Sequence, residues 1–277
     1  MKNKFSFKLG VFVLSLVLIA CSGGSTEAGC PEIDGREINV VATTPIIGEF
    51  VSQVAGDNIN LTVLMPPEAD PHTYEPAPQD AGKIADADLV FYTGLMYEPA
   101  PLIELLENSV CGSEALAEVG DSVFPIEFKE SGHDNHDDHG EKGHDDHEGH
   151  GHGAYDPHFW FDPNRVAYAT EFIESKLIEF DPSNTADYEA AGDSYTAELN
   201  SLTGQVSQLI ASIPSQNRKL ITTHESLGYL EAKFGLEVLS TIIPNLDSSN
   251  EISPAQLVGV IDVIEDNNVK VIFIEAE

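Results

Sequence analysis

The chain has 277 residues, 42% of them hydrophobic and 22% charged, which is enough to bury a sizeable core. Its 47 Asp and Glu against 13 Lys and Arg leave a net charge of −34, a balance that excludes nucleic acid as a partner and draws cations to the surface. The three cysteines form no Cys-x-x-Cys pair, so a metal site here must be built from nitrogen and oxygen donors.

Residues 1–20 read as a signal peptide. Lys2, Lys4 and Lys8 give a basic start, and Leu9 to Ala20 is an apolar run of twelve residues, too short to span a bilayer. Leu18-Ile19-Ala20-Cys21 resembles a bacterial lipobox. That resemblance implies lipidation at Cys21 and an extracytoplasmic, membrane-anchored lipoprotein, in the periplasm or at the cell surface. The small residues from Ser22 onward make 21–36 a lipidated tether. Removing the leader takes three lysines and no acid, so 10 basic and 47 acidic side chains remain, a net of −37. Cys30 and Cys111 could pair in an oxidising compartment, which spacing does not decide.

About 255 mature residues suit two modest domains better than one. Ile38 to Thr43 reads as a buried strand, followed by a helix that starts at Pro45 and stops at Gly56. Asn60 to Met65 is the next strand. A helix over Gln79 to Ala85 leads to strand Leu89 to Tyr92, then a helix over Pro101 to Glu107 and a strand within Ala115 to Val119. Strands alternating with helices predict right-handed crossovers and a mainly parallel sheet, with ligands bound beyond the carboxyl ends of the strands. Asp70-Pro71-His72-Thr73-Tyr74-Glu75-Pro76 falls there. Proline restricts itself and its predecessor, so this segment presents an imidazole from stiff backbone.

The stretch that follows, loop 131–155, is low-complexity and acidic. It carries His133, His136, His139, His144, His147, His150 and His152, and alternating Asp and His predicts weak multidentate binding of zinc-like ions. It ends on a second stiff imidazole, Asp156-Pro157-His158-Phe159-Trp160-Phe161-Asp162-Pro163. Asp162 then caps a helix bearing Val166, Phe172, Ile173 and Leu177. Tyr188, Ala191, Tyr195, Leu199, Leu202, Val206, Leu209 and Ile213 predict a helix of about 45 Å from Asn184 to Ile213, read as a strut between two lobes.

The alternation restarts with strand Lys219 to Thr223, and a helix is expected to begin at once from His224-Glu-Ser-Leu-Gly-Tyr229. A strand within Leu236 to Ile243, a helix from Ser253-Pro254 through Glu265 and a strand over Val269 to Ile274 complete the pattern. His224 thus sits, like His72, at a strand's carboxyl end. The expected organisation is α/β: an N-terminal metal-binding lobe over 37–183, a connecting helix over 184–213 and a C-terminal lobe over 214–277, each lobe with a mainly parallel sheet flanked by helices.

Taken together, the Asp-Pro-His segments at 70–76 and 156–163 and the segment 223–229 resemble the three signature segments of zinc/manganese solute-binding proteins of ABC transporters. The lipobox and the acidic histidine loop do so too, and the likeness runs through nearly the whole mature chain. The resemblance implies two α/β lobes joined by one long helix, with His72 and His158 from the first lobe and His224 from the second holding a metal in the cleft. It implies Zn2+ as the transported ligand, or Mn2+ as the alternative, delivered to an ABC transporter permease by a monomer. In manganese-selecting relatives a carboxylate tends to stand where His224 does, and three imidazoles suit zinc, although Asp-Pro-His-Thr-Tyr-Glu-Pro also occurs in manganese relatives. The pattern departs from the family in one respect. A late carboxylate near the metal is usual after the strand matching Val269 to Ile274, and this chain stops at Glu277, so the C-terminal lobe is expected to be incomplete and Glu225 and Glu275 stand as weak substitutes.

Two other classes compete. A metal-dependent surface adhesin would use the ion structurally. A secreted three-histidine zinc hydrolase would use it to activate water, but the chain lacks His-Glu-x-x-His and Gly-x-Ser-x-Gly, and no catalytic residue is assigned.

Overall fold

The computed structural model describes residue 33 and residues 35–128, 155–243 and 252–274. The signal peptide, Cys21, Cys30, the seven loop histidines from His133 to His152 and Glu275 lie outside the described residues.

The first sheet has four parallel strands in the order β2-β1-β3-β4. In sequence they are β1 (Ile38–Ala42), β2 (Ile59–Val63), β3 (Leu89–Tyr92) and β4 (Leu116–Glu118). β1 is central and covered on both faces, and four of its five residues are apolar, as a buried parallel strand requires. Helix α1 (Pro45–Ala55) makes the first crossover. The Thr44 hydroxyl accepts from Ile47 N at 3.2 Å, Pro45 fills the first turn, and Gly56 ends the helix at φ +54°. α2 (Pro78–Ala85) and α3 (Ala100–Ser109) make the next two connections.

α4 (Pro163–Phe180) is capped as expected, the Asp162 carboxylate accepting from Asn164 N. With α5 (Thr185–Ser212) it packs on α1, burying Ile47, Phe50, Phe159, Ile173, Leu177, Tyr188 and Leu199 in the main core. α5 has 28 residues, or about 42 Å at ~1.5 Å per residue, close to the predicted length. Its apolar stripe outlasts its cover: Tyr188 and Leu199 are buried, whereas Leu202 and Leu209 are 44% and 67% exposed.

The second sheet pairs β5 (Lys219–Thr222) and β6 (Glu237–Thr241) in parallel, with α6 (Gly228–Phe234) between them in sequence and α7 (Pro254–Asn267) after them. Ser253 and Gln256 form a capping box at the start of α7. Two expectations differ here. α6 begins at Gly228 rather than at His224, because the His224 carbonyl accepts from Ser226 N at 3.0 Å in a tight turn, so a helical i+4 pairing does not form there. Val269 to Ile274 gives a single parallel bridge, Ile221 to Ile272, rather than a strand, since a ladder needs consecutive pairs and only this one registers.

Cys111 is disulfide-bonded, and the two other cysteines lie outside the described residues. No helix among the described residues is long and apolar enough to cross a membrane.

Candidate metal centre

The two Asp-Pro-His segments fold alike. In each, the Asp carboxylate accepts from the backbone N–H of the histidine two residues on: Asp70 Oδ1 from His72 N at 2.9 Å, and Asp156 Oδ1 from His158 N at 2.9 Å. This side-chain turn and the fixed proline φ set where each imidazole points. Asp156 Oδ1 also receives His158 Nδ1 at 2.8 Å. A carboxylate can only accept, so the ring proton sits on Nδ1 and the lone pair of Nε2 faces the opposite way, into the site.

There it meets the other two histidines. His72, His158 and His224 each offer a ring nitrogen within 4.8 Å of the others, and they form the one such donor group of three or more found among the described residues. His158 and His224 are 2% and 5% exposed, and their Nε2 atoms stand 3.4 Å apart. Two nitrogens bound to one tetrahedral zinc at about 2.0–2.1 Å would be about 3.3 Å apart. The observed gap is therefore already that of two ligands on one ion. His72, half-buried, closes the triangle with its ring 5.7 Å from His158 and 5.8 Å from His224.

The histidines line a cavity of about 240 Å³ whose other walls include Thr44, Pro45, Pro67 and Trp160. Asp70 is the single carboxylate among its described lining residues. Glu225 lines a larger neighbouring cavity of about 550 Å³, together with Asp156 and Glu231.

α6 fastens the second sheet to this centre. The Tyr229 hydroxyl accepts from Ile126 N at 3.2 Å and donates to the Asp156 carbonyl at 2.8 Å. Burial pushes that phenol well above its ordinary titration range, so it stays a donor. The Arg165 guanidinium lies 5.9 Å from the Tyr229 ring and donates to the carbonyls of Val123 and Phe124. Gly228 comes close enough to Asp156 that an added Cβ would lie 2.6 Å from its Oδ2. Residues 127 and 155 form an antiparallel bridge beside this junction, with Asp156 N donating to the Ile126 carbonyl at 3.0 Å.

The reading of the sequence missed the orienting role of Asp156 and the aromatic walls of the cavity. The first had a visible signal, an acceptor side chain two residues before each histidine. Asp156→Asn is expected to cost about 10–100-fold in zinc affinity, because an amide can turn a donor toward Nδ1 and release the tautomer. Chelator competition on the purified protein reads this directly, with unchanged affinity as the contrary result.

Residues 40–277 match the family model for zinc-uptake complex component A, periplasmic (ZnuA). The manganese ABC transporter substrate-binding lipoprotein PsaA of Streptococcus mitis is 30% identical, over 97% of this chain and 82% of that one. Among solved structures, the crystal structure of ZnuA superposes with a TM-score of 0.72 at 26% identity, covering 87% of this chain and 83% of that one. The periplasmic zinc-binding protein TroA from Treponema pallidum gives a TM-score of 0.74 at 24% identity, covering 87% and 79%, and shares the fold.

Proposed function

The chain belongs to the ZnuA family of periplasmic zinc-uptake components, and from that premise we propose that it captures Zn2+ with His72, His158 and His224 and delivers it to an ABC permease. The observation that carries this reading is the convergence of three imidazoles, 66 or more residues apart in sequence, to within 4.8 Å of one another. Three neutral nitrogens and a cavity short of carboxylates suit zinc better than manganese, which takes harder oxygen donors. Manganese is the alternative cargo, since the Streptococcus mitis relative is named for it.

No bond in the cargo is made or broken. The site binds the ion, holds it from water and must later let it go. Release follows if α6 and the turn bearing His224 withdraw from Asp156 and His158, taking one of three ligands away. The proposed division of the chain assigns 37–183 to the first lobe, 184–213 to the connecting helix and 214–277 to the second lobe. Lipidation at Cys21 would keep the protein at the membrane, and the seven histidines from His133 to His152 would hold further ions loosely.

Elemental analysis followed by zinc and manganese titrations of the full chain tests this. One tight equivalent of zinc is expected, with affinity falling as the solution is made more acidic, because protons compete with the ion for the ring nitrogens and a protonated ring cannot ligate. A chain that takes up no tight zinc or manganese, or one that binds it equally at pH 5 and pH 8, defeats the proposal.

A further inference from the structure

Tyr97 packs its ring against both His72 and His158. Its ring lies 4.7 Å from His72 and 5.7 Å from His158, both edge-to-face, and 5.1 Å from Trp160. Trp160 in turn lies 5.4 Å from His158. Edge-to-face packing of this kind fixes ring orientation as well as excluding water. Tyr97 is 6% exposed, so the contact is internal to the site.

The backbone that delivers Tyr97 is unusual. Gly94, Leu95 and Met96 are consecutive residues with φ of +75°, +53° and +64°. Two of the three carry side chains in a region that disfavours them, and such strain persists only where neighbouring structure holds it. Two carboxylates do so. Glu98, 3% exposed, accepts from Thr43 Oγ1 at 2.6 Å, Thr93 N at 2.7 Å and Gly94 N at 3.0 Å. Glu118 accepts from Leu95 N at 3.0 Å and Tyr92 OH at 2.9 Å. The loop therefore spends two buried or half-buried acids on placing one aromatic ring against two metal ligands.

We infer that Tyr97 is a specificity-determining residue, which with Trp160 walls the ion on one side and limits the number of ligands it can gather. This rests on the reading of the three histidines as the cargo site. A tetrahedral ion is complete with three imidazoles and one water. An ion that prefers six harder ligands needs room for further waters, and the two rings occupy part of that shell. The walls thus disfavour manganese by denying it ligands, rather than by offering zinc more.

The test compares the full chain, purified in detergent, with Tyr97→Ala and Tyr97→Leu. Zinc and manganese affinities are measured by chelator competition, and visible absorption is recorded with one equivalent of Co2+, whose band intensity distinguishes four-coordinate from six-coordinate binding. The expected result is a fall of about tenfold or more in the zinc-to-manganese affinity ratio for Tyr97→Ala, with a several-fold weaker cobalt band. Tyr97→Leu keeps part of the volume and should shift both in the same direction by less. If Tyr97→Ala does not fold, the leucine variant decides alone. A ratio and a cobalt band within twofold of the unaltered chain in the folded variants overturn the inference. Failure of the unaltered chain to hold one tight equivalent of either metal would instead sink the cargo reading beneath it.

Discussion

Replacing His158 by alanine is expected to weaken the tight zinc equivalent by about 10²–10³-fold. A four-ligand zinc site contributes about 10–16 kcal/mol, so one ligand is responsible for about 3–4 kcal/mol, and each 1.4 kcal/mol is tenfold. His158 is the best place to remove it. It is 2% exposed, its Nδ1 is held by Asp156 at 2.8 Å, and its Nε2 stands 3.4 Å from His224. Water cannot fully replace an imidazole already set in position, because the alternative ligand must be ordered anew. The measurement is chelator competition with His158→Ala, beside a chain lacking 133–152. The deletion should keep the tight equivalent and lose weaker ones. If the deletion abolished tight binding and His158→Ala preserved it, the roles assigned to the two regions would be reversed.

The second large effect is on stability. Phe159 has no exposed surface and lies in the main core, its ring 6.3 Å from Phe50 and 5.5 Å from Trp160. Truncation to alanine removes the buried ring and leaves a cavity that the helices around it cannot collapse, at about 3–5 kcal/mol. Against a total stability of about 5–15 kcal/mol, that lowers the metal-free Tm by about 10 °C. Calorimetry of the metal-free protein checks it, with Phe159→Leu expected to recover more than half of the loss. A Tm within 2 °C of the unaltered chain would show that the ring is not packed as described. Because residue 159 follows a ligand directly, the same cavity lets His158 drift, so zinc affinity should fall together with stability.

Much of this was legible from local chemistry. The β-branched run from Ile38, proline at the first turn of α1, α2 and α4, and the long heptad-like stripe of α5 each carry their own structural signal, and each element is found. The three histidines were legible because two share a stiff Asp-Pro-His frame and the third follows a strand. What escaped was relational. Tyr97 follows three left-handed residues whose conformation is set by hydrogen bonds to the adjacent Glu98 and to Glu118 at the end of β4, and no periodicity reports that. The late start of α6 escaped for the same reason, since His224, Glu225 and Ser226 look like acceptable first-turn residues until the imidazole is drawn toward His158. Val269 to Ile274 has strand composition, but composition cannot supply a partner, and among the described residues it makes one bridge, to Ile221.

The bridge between residues 127 and 155 has a practical meaning for protein engineering. Whatever sequence joins those two positions departs and arrives at one spot, and that spot is already tied to Asp156 and Tyr229 by backbone and phenol hydrogen bonds. Lengthening such an excursion costs only the logarithm of its size. Reporter peptides, epitopes or alternative chelating tracts could therefore be spliced between those anchor points as interchangeable cassettes, with the three imidazoles left undisturbed a short distance away.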